Sequence, residues 1–250
     1  MKLLLPILCL LLINPLVLPQ ADENHFKPGE ILKFLINYGP INGGFVESNL
    51  QLKEFEGKKV FHVSLLAKTI GFADKIYKVR DEYQSYFDLE SLLPYKAIRD
   101  ISEGRYKRYD HAFYYHKNLK VINNKNKEFK IPADARDVAS VFFYIRNLNF
   151  AALKYDEIIK INTFFDNELL PFDMRYRGLV TIKTKLGTYR CIKLVPFVAT
   201  GRVFEREDDM TIYLSDDFNR VPIRIEFKLK VGTVNCDLVE FSGLKNYSER

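Results

Sequence analysis

Tryptophan is absent from this chain, and cysteine and histidine are scarce, with three and four residues respectively. The missing tryptophan argues against a stacking platform for sugar rings. Cys9 lies inside the apolar N-terminal run, which leaves Cys191 and Cys236 for the folded part. Two cysteines far apart in sequence make neither a disulfide framework nor a metal-ligand spacing. In an exported protein they could close one disulfide, but they read more simply as two small buried hydrophobes. His25, His62, His111 and His116 show no metal spacing, and the last two, five residues apart, fall on opposite sides of a strand. No G-x-S-x-G, H-E-x-x-H, P-loop or dinucleotide fingerprint occurs. Gly39, Gly43 and Gly44 do not open a helix, and Ser140 beside Asp137 resembles a polar helix edge rather than an activated nucleophile. No catalytic residue, metal or cofactor is assigned, and the expectation is a protein that is not an enzyme.

A second long hydrophobic run is also lacking. The first run, Leu3 to Leu18, follows Lys2 and ends near Ala21, ahead of the polar Asp22-Glu23-Asn24. That is the pattern of a secretory signal peptide over residues 1–21. Pro6 and Pro15 break the run, and it falls short of the roughly 20 apolar residues of a membrane span. Cys9 sits within the run rather than after it, unlike a lipoprotein cysteine. The expected product is an exported, periplasmic protein with no stable membrane span, in which residues 22–250 form a single β-rich domain.

The net charge of +6 is dispersed rather than blocked. The densest basic cluster, Arg105 to Tyr109, alternates with tyrosine. Interleaved basic and aromatic residues can bind single strands, but in an exported chain nucleic acid is not an expected partner. The cluster reads as a solvated strand face, with a mild attraction to anionic lipid or polysaccharide.

Alternation of apolar and polar residues dominates what is present. Ile31 to Tyr38, Phe45 to Phe55 and Val60 to Thr69 read as strands, with Phe45, Leu50 and Leu52 turned inward and Glu56-Gly57-Lys58 as a hairpin turn. Ile76 to Phe87, Tyr95 to Ser102, Arg105 to His116, Leu119 to Ile122 and Glu128 to Ile131 continue the pattern. Strands resume over Glu157 to Phe165, Leu169 to Tyr176, Leu179 to Thr184, Tyr189 to Ala199, Met210 to Leu214, Val221 to Lys230 and Thr233 to Phe241. Arg202 to Asp209 is a charged loop. About a dozen strands separated by turn signals make a sheet too large to stay flat. The predicted fold is mainly β: one large curved antiparallel sheet, a half-barrel or spiral roll, with one central amphipathic helix.

That helix is predicted over Asp134 to Leu148, with Asp134 as N-cap and Val138, Val141, Phe142, Ile145 and Leu148 at helical spacing. It divides the chain near its midpoint, so the halves become two hairpin runs of one sheet. An amphipathic helix ordinarily packs on its own core. A sharper alternative makes it the lid of an apolar cavity, with Phe142, Phe143, Tyr144 and Ile145 as ligand-binding residues at the mouth. The high aromatic content, 20 Phe and 15 Tyr, serves a cavity or a large β core equally well.

Carboxylates are the remaining chemistry. Asp208-Asp209 and Asp216-Asp217 flank one strand and could do acid/base work on a glycoside. They could also hold a cation through oxygen, or simply form solvated turns. In Tyr213 to Phe227, Asp216, Asp217, Asn219 and Pro222 read as an architectural turn that reverses the chain, with Arg220 placed to pair with Asp217.

Several motifs occur in order: Phe26, Gly29 and Glu30; Tyr38-Gly39 and Gly43-Gly44; D-V-A-S-V-F-F-Y-I-R from Asp137 to Arg146; Cys191 to Pro196; and L-S-D-D-x-x-R-x-P from Leu214 to Pro222. In that order they resemble the exported bacterial proteins of domain-of-unknown-function family 3108, across nearly the whole chain after residue 21. The resemblance implies an envelope location and a roll-like β fold, and no established activity. Tyr213 to Phe241 is more loosely similar to the closing hairpins of periplasmic lipoprotein carriers, which have a half-barrel with an apolar cavity. The expected function is that of a non-enzymatic envelope module binding an apolar or amphiphilic ligand or an envelope component: a lipid, a lipoprotein or an envelope polysaccharide. The alternatives are a glycan-directed hydrolase using the paired aspartates and a structural scaffold.

Overall fold

The computed structural model describes residues 24–197, 206–230 and 232–246. The segment expected to be a signal peptide and most of the charged loop before Asp209 lie outside the described residues. The first half of the chain supplies β1 (Ile31–Tyr38), β2 (Ile41–Phe55), β3 (Lys58–Thr69), a short helix α1 (Gly71–Ile76), β4 (Arg80–Phe87), β5 (Pro94–Glu103), β6 (Tyr106–Tyr115), β7 (Lys120–Asn123) and β8 (Glu128–Lys130). Helix α2 (Ser140–Arg146) follows. The second half supplies β9 (Ile158–Ile159), β10 (Asn162–Phe165), β11 (Glu168–Pro171), β12 (Met174–Thr184), β13 (Gly187–Pro196), β14 (Met210–Ser215), β15 (Pro222–Leu229) and β16 (Gly232–Ser242).

Fourteen of these strands form one antiparallel sheet in the order β8-β7-β6-β5-β4-β3-β2-β1-β16-β15-β14-β13-β12-β9. Strands β10 and β11 pair separately. The large sheet is two meanders joined at a seam where the first strand meets the last, Ile31 opposite Ser242 and Tyr38 opposite Val234. It does not close into a barrel, and β8 and β9 are its edges. The mainly β, curved-sheet architecture expected from the alternation is therefore present. Bulges opposite β1, with Val239 of β16 extra across from Lys33/Phe34 and Gly43 of β2 extra across from Ile36/Asn37, bend the seam.

Local chemistry explains the hairpins. Glu56 and Gly57 both have positive φ, 49° and 75°, the two-residue turn whose twist matches that of the strands it joins. At Gly44 a Cβ would stand 2.6 Å from the Lys68 carbonyl oxygen, so β2 and β3 can approach only because no side chain is there. Phe45, expected inward, lies on the opposite face from Val46, Ser48 and Leu50, and the Lys33 ammonium sits 5.1 Å from its ring centre. Leu52 is on the inner parity but past the end of the core and is exposed.

The helix is shorter than its periodicity predicts. Asp134 is not its N-cap: its carboxylate accepts a bond from Asn162 Nδ2 at 3.0 Å. Arg136 forms a backbone bridge to Thr163, its N–H donating to the Asn162 carbonyl and its carbonyl accepting from Phe164 N–H. A turn at Ala133 and Asp134, closed by Ala135 N–H donating to the Pro132 carbonyl at 3.2 Å, leads into that bridge, and the helix begins only after it. Asp137 then caps the helix, Oδ1 accepting from Ala139 N–H at 2.7 Å and Ser140 N–H at 3.1 Å. Its other oxygen accepts from Ser85 Oγ on β4 at 2.6 Å, which ties the helix start to the first meander. Burial pushes the Asp137 carboxyl above its usual range, and its bonds to Ser85, Ser140 and the two amides oppose that shift.

Two further departures have local causes. The strand expected from Ile76 begins at Arg80, because Gly71, at φ 57°, turns the chain into α1. The run from Glu157 to Phe165 splits into β9, which pairs with β12, and β10, which pairs with β11.

Helix α2 straddles the two meanders. Phe143 and Ala139 pack on Phe26, Leu50, Phe61 and Phe87 of the first side. Val141 and Ile145 pack on Met174, Leu194, Ile212 and Leu214 of the second. Cys191 and Cys236 are both buried and free, and burial pushes each thiol up to about 12. In the protein lacking residues 1–21, a thiol reagent at pH 8 should therefore modify neither cysteine in the native state and both in denaturant. Rapid labelling of either native thiol would contradict this packing.

Candidate functional site

The seam strands β1, β2, β15 and β16, together with Leu65 of β3, do not close fully against α2. Between them lies a cavity of about 380 Å³. Period-two alternation decides which side chains reach it. Strand β1 contributes Leu32, Phe34 and Ile36, and β2 contributes Val46 and Ser48. Strand β15 contributes Pro222, Ile225 and Phe227, and β16 contributes Val234 and Cys236. Phe142, Phe143 and Arg146 of α2 form the roof. The lining is carbon and sulfur except for Ser48 and Arg146.

Arg146 marks the inner end. It is 2% exposed, and its guanidinium meets the 1% exposed carboxylate of Glu30 through two parallel bonds, Nη1 to Oε1 at 2.6 Å and Nη2 to Oε2 at 2.8 Å. Further bonds reach the Asn219 carbonyl from Nε at 3.1 Å and Nη2 at 2.8 Å, and the His25 carbonyl from Nη2 at 3.2 Å. The rings of Phe26 and Phe143 stand 5.2 and 5.6 Å from the guanidinium carbon. A buried arginine is tolerable only when paired and hydrogen-bonded. The pairing leaves the inner end of the cavity electrically neutral.

Three distant segments meet at this side chain. The lead-in strap before β1 is held to β2 by Gly29 N–H donating to the Leu50 carbonyl at 2.7 Å and Leu50 N–H to the Glu30 carbonyl at 2.9 Å. The Asp216–Arg220 turn approaches from the second meander, where Arg220 Nη1 donates to the Arg146 carbonyl at 2.9 Å and also to the Leu148 carbonyl, capping the end of α2. His25 Nδ1 bonds the Phe218 carbonyl, and burial lowers the His25 pKa although that bond works the other way.

Of the four residues expected at a cavity mouth, Phe142 and Phe143 line the cavity. Tyr144 turns away and covers Arg136, whose guanidinium carbon lies 3.7 Å from the ring centre. Ile145 is buried against the second meander. The alternation of faces along a short helix separates them. Arg146 and Glu30 carried no functional reading in the sequence. Each was visible only as the charged end of a motif, and nothing local pairs two residues 116 positions apart.

The paired aspartates serve the turns they occupy. Asp217 is an exposed residue, and its Oδ1 accepts from Ser215 Oγ at 2.8 Å, Asn219 N–H at 2.9 Å and Arg220 N–H at 3.0 Å. Asp216 is half-buried with Arg190 Nε 2.6 Å from Oδ2. Asp209 is buried and accepts from Arg206 N–H at 2.8 Å, and Asp208 is bound by the same arginine's side chain. Among the described residues no group of three histidine, cysteine or acidic side chains could hold a metal ion. Nor is any helix among them long and apolar enough to cross a membrane.

The family model described as a protein of unknown function, DUF3108, matches residues 33–239. No curated protein matches the chain. Among solved structures, a β-barrel-like protein of domain of unknown function DUF1849 from Brucella abortus is similar in fold. Its TM-score is 0.56 at 7% identity, over 87% of this chain and 98% of that one. A DUF1089 family protein from Pseudomonas aeruginosa aligns at a TM-score of 0.34 and 11% identity, over 80% of this chain and 92% of that one, a likeness too slight to carry an argument.

Replacing Arg146 by Met, or Glu30 by Gln, should each cost about 3–5 kcal/mol in urea unfolding, because each strands a buried partner. The double variant Glu30→Gln/Arg146→Met should cost clearly less than the two single changes together. Single changes worth under about 1 kcal/mol would show that the pair is not the clasp described.

Proposed function

We propose that this chain, which belongs to the DUF3108 family, is an exported envelope protein that binds an apolar or amphiphilic molecule beneath α2 and performs no chemistry on it. One observation carries the reading: a cavity of about 380 Å³ whose lining is apolar and whose single charge is already neutralised. That volume falls in the range of small-molecule sites, about 300–1,000 Å³. Apolar cavities of much smaller volume, about 150 Å³, stay dry and take up apolar guests. The polar reach of Arg146 is spent on Glu30 and backbone carbonyls, so the inner end suits a hydrocarbon terminus rather than a headgroup.

The test has two parts. Native mass spectrometry with lipid extraction should find a co-purifying amphiphile on protein taken from the envelope. Delipidated protein should bind cis-parinaric acid saturably. Filling the cavity with Val234→Trp should weaken that binding at least about tenfold, the loss expected when a ligand several carbons long is displaced at about 0.8 kcal/mol per methylene. Absence of both a co-purifying lipid and saturable probe binding would overturn the reading.

A further inference from the structure

We infer that one end of the sheet, the end toward which the cavity runs, docks onto an anionic lipid surface. At this end three connections come together: the turn between β1 and β2, the α1 segment between β3 and β4, and the turn between β5 and β6. Ile70 N–H bonds the Gly43 carbonyl at 3.0 Å, and Gly104 N–H bonds the Lys78 carbonyl at 2.7 Å. The turn from β15 to β16 joins them across the seam, where the Tyr38 side chain lies so close to Gly232 that a Cβ there would meet its hydroxyl oxygen at 2.7 Å and its ring at 2.8 Å.

The side chains on this rim are unusual for a water-facing edge. Helix α1 buries none of its residues, and Phe72 and Ile76 are 73% and 69% exposed. Ile41 and Tyr106 project from the two neighbouring turns, also exposed. Among them stand the exposed cations Lys75, Lys78, Arg105 and Lys107, with Lys228 and Lys230 across the seam. The acid on α1, Asp74, is held by Arg80 at 2.7 Å. The opposite end of the sheet also exposes apolar and basic side chains, Tyr115, Leu119 and Leu186 with Lys58, Lys117 and Lys185, and sets them beside the exposed acids Glu56, Glu90 and Asp217.

Separate apolar side chains spread over three turns and set among cations are the combination that places a protein at a lipid interface. The apolar groups enter the acyl boundary while lysine and arginine meet anionic headgroups. Tyrosine at the margin suits the headgroup level. The arrangement also fits the cavity. Ile36, Phe227 and Val234 line it just below these turns, so a docked rim would set the cavity over the source of its amphiphile. The role assigned to docking rests on the cavity reading, whereas the binding itself does not.

The measurement is vesicle co-sedimentation with the protein lacking residues 1–21, on phosphatidylcholine alone and on an equimolar mixture with phosphatidylglycerol. Binding should appear only with phosphatidylglycerol and should fall as salt is raised. Lys75→Glu/Lys78→Glu should weaken it by at least about fivefold per cation changed, and Phe72→Ser/Ile76→Ser should weaken it comparably. Both variants change exposed side chains and should keep the parent's uptake of cis-parinaric acid measured without vesicles. Equal binding to both vesicles, no binding to either, or variants that bind like the parent would overturn the docking surface. Binding to polyglutamate with none to vesicles would overturn it in favour of an acidic protein. In the parent protein, probe uptake without any vesicle binding sinks docking alone, and vesicle binding without any probe uptake sinks the cavity alone.

Discussion

The arginine–glutamate pair at the inner end of the cavity is the constraint on which the rest of the arrangement depends. A sheet built from two meanders needs something to set the angle between them, and the α2 roof needs to be held without filling the space below. Arg146 does both. Its guanidinium plane matches Glu30 on the strap before β1 and reaches Asn219 in the turn before β15, so strap, roof and turn share one rigid fork. An aliphatic residue of equal size would pack as well or better, but it would carry no direction. The pair supplies orientation at a site where apolar packing alone would leave the roof free to settle into the cavity.

The seam imposes a second constraint. The first and last strands of the sheet are neighbours, with Leu35 opposite Asp237, so the sheet is incomplete until the C-terminal strand arrives. Each meander can form from local hairpins, whereas the seam and the Arg146 contacts span most of the chain. Such long-range closure is slow to form. The cavity lies on the seam and is lined from both sides. Its existence is therefore a property of the completed fold and not of either half.

These distances explain what was legible in the sequence. Strand β1 could be read to the residue, from Ile31 to Tyr38, because alternation is a local signal. The Glu56-Gly57 turn was legible for the same reason. The one-helix, two-meander plan followed from the change of period near residue 138. The limits of that helix did not, because the backbone bridge from Arg136 to Thr163 delays its start, and no residue before it announces a strand partner 27 positions later. Half of the expected mouth, Phe142 and Phe143, lines the cavity, while Tyr144 and Ile145 face elsewhere. Spacing gives the width of an apolar stripe, but only tertiary packing decides which part of it meets a void. Glu30 and Arg146 read separately as a loop acid and a helix-end base; their meaning is in the contact.

The motifs that mark the family converge on that contact more than on the cavity. Phe26 and Glu30 of the first, Arg146 at the end of the helix motif, and Asn219 and Arg220 of the last turn all lie within one network. The cavity wall, by contrast, is made of Val46, Ile225, Phe227 and Val234, residues that any of several aliphatic side chains could replace at similar volume. The recognisable residues thus specify closure, and the wall specifies only size and dryness. A site of this kind selects by shape and apolarity instead of by matched hydrogen bonds, and such selection distinguishes neighbouring homologues weakly, by about 1–3 kcal/mol per methylene at most. Discrimination among amphiphiles would then have to come from outside the cavity, where the headgroup emerges, and the basic rim is the part of the surface placed to provide it.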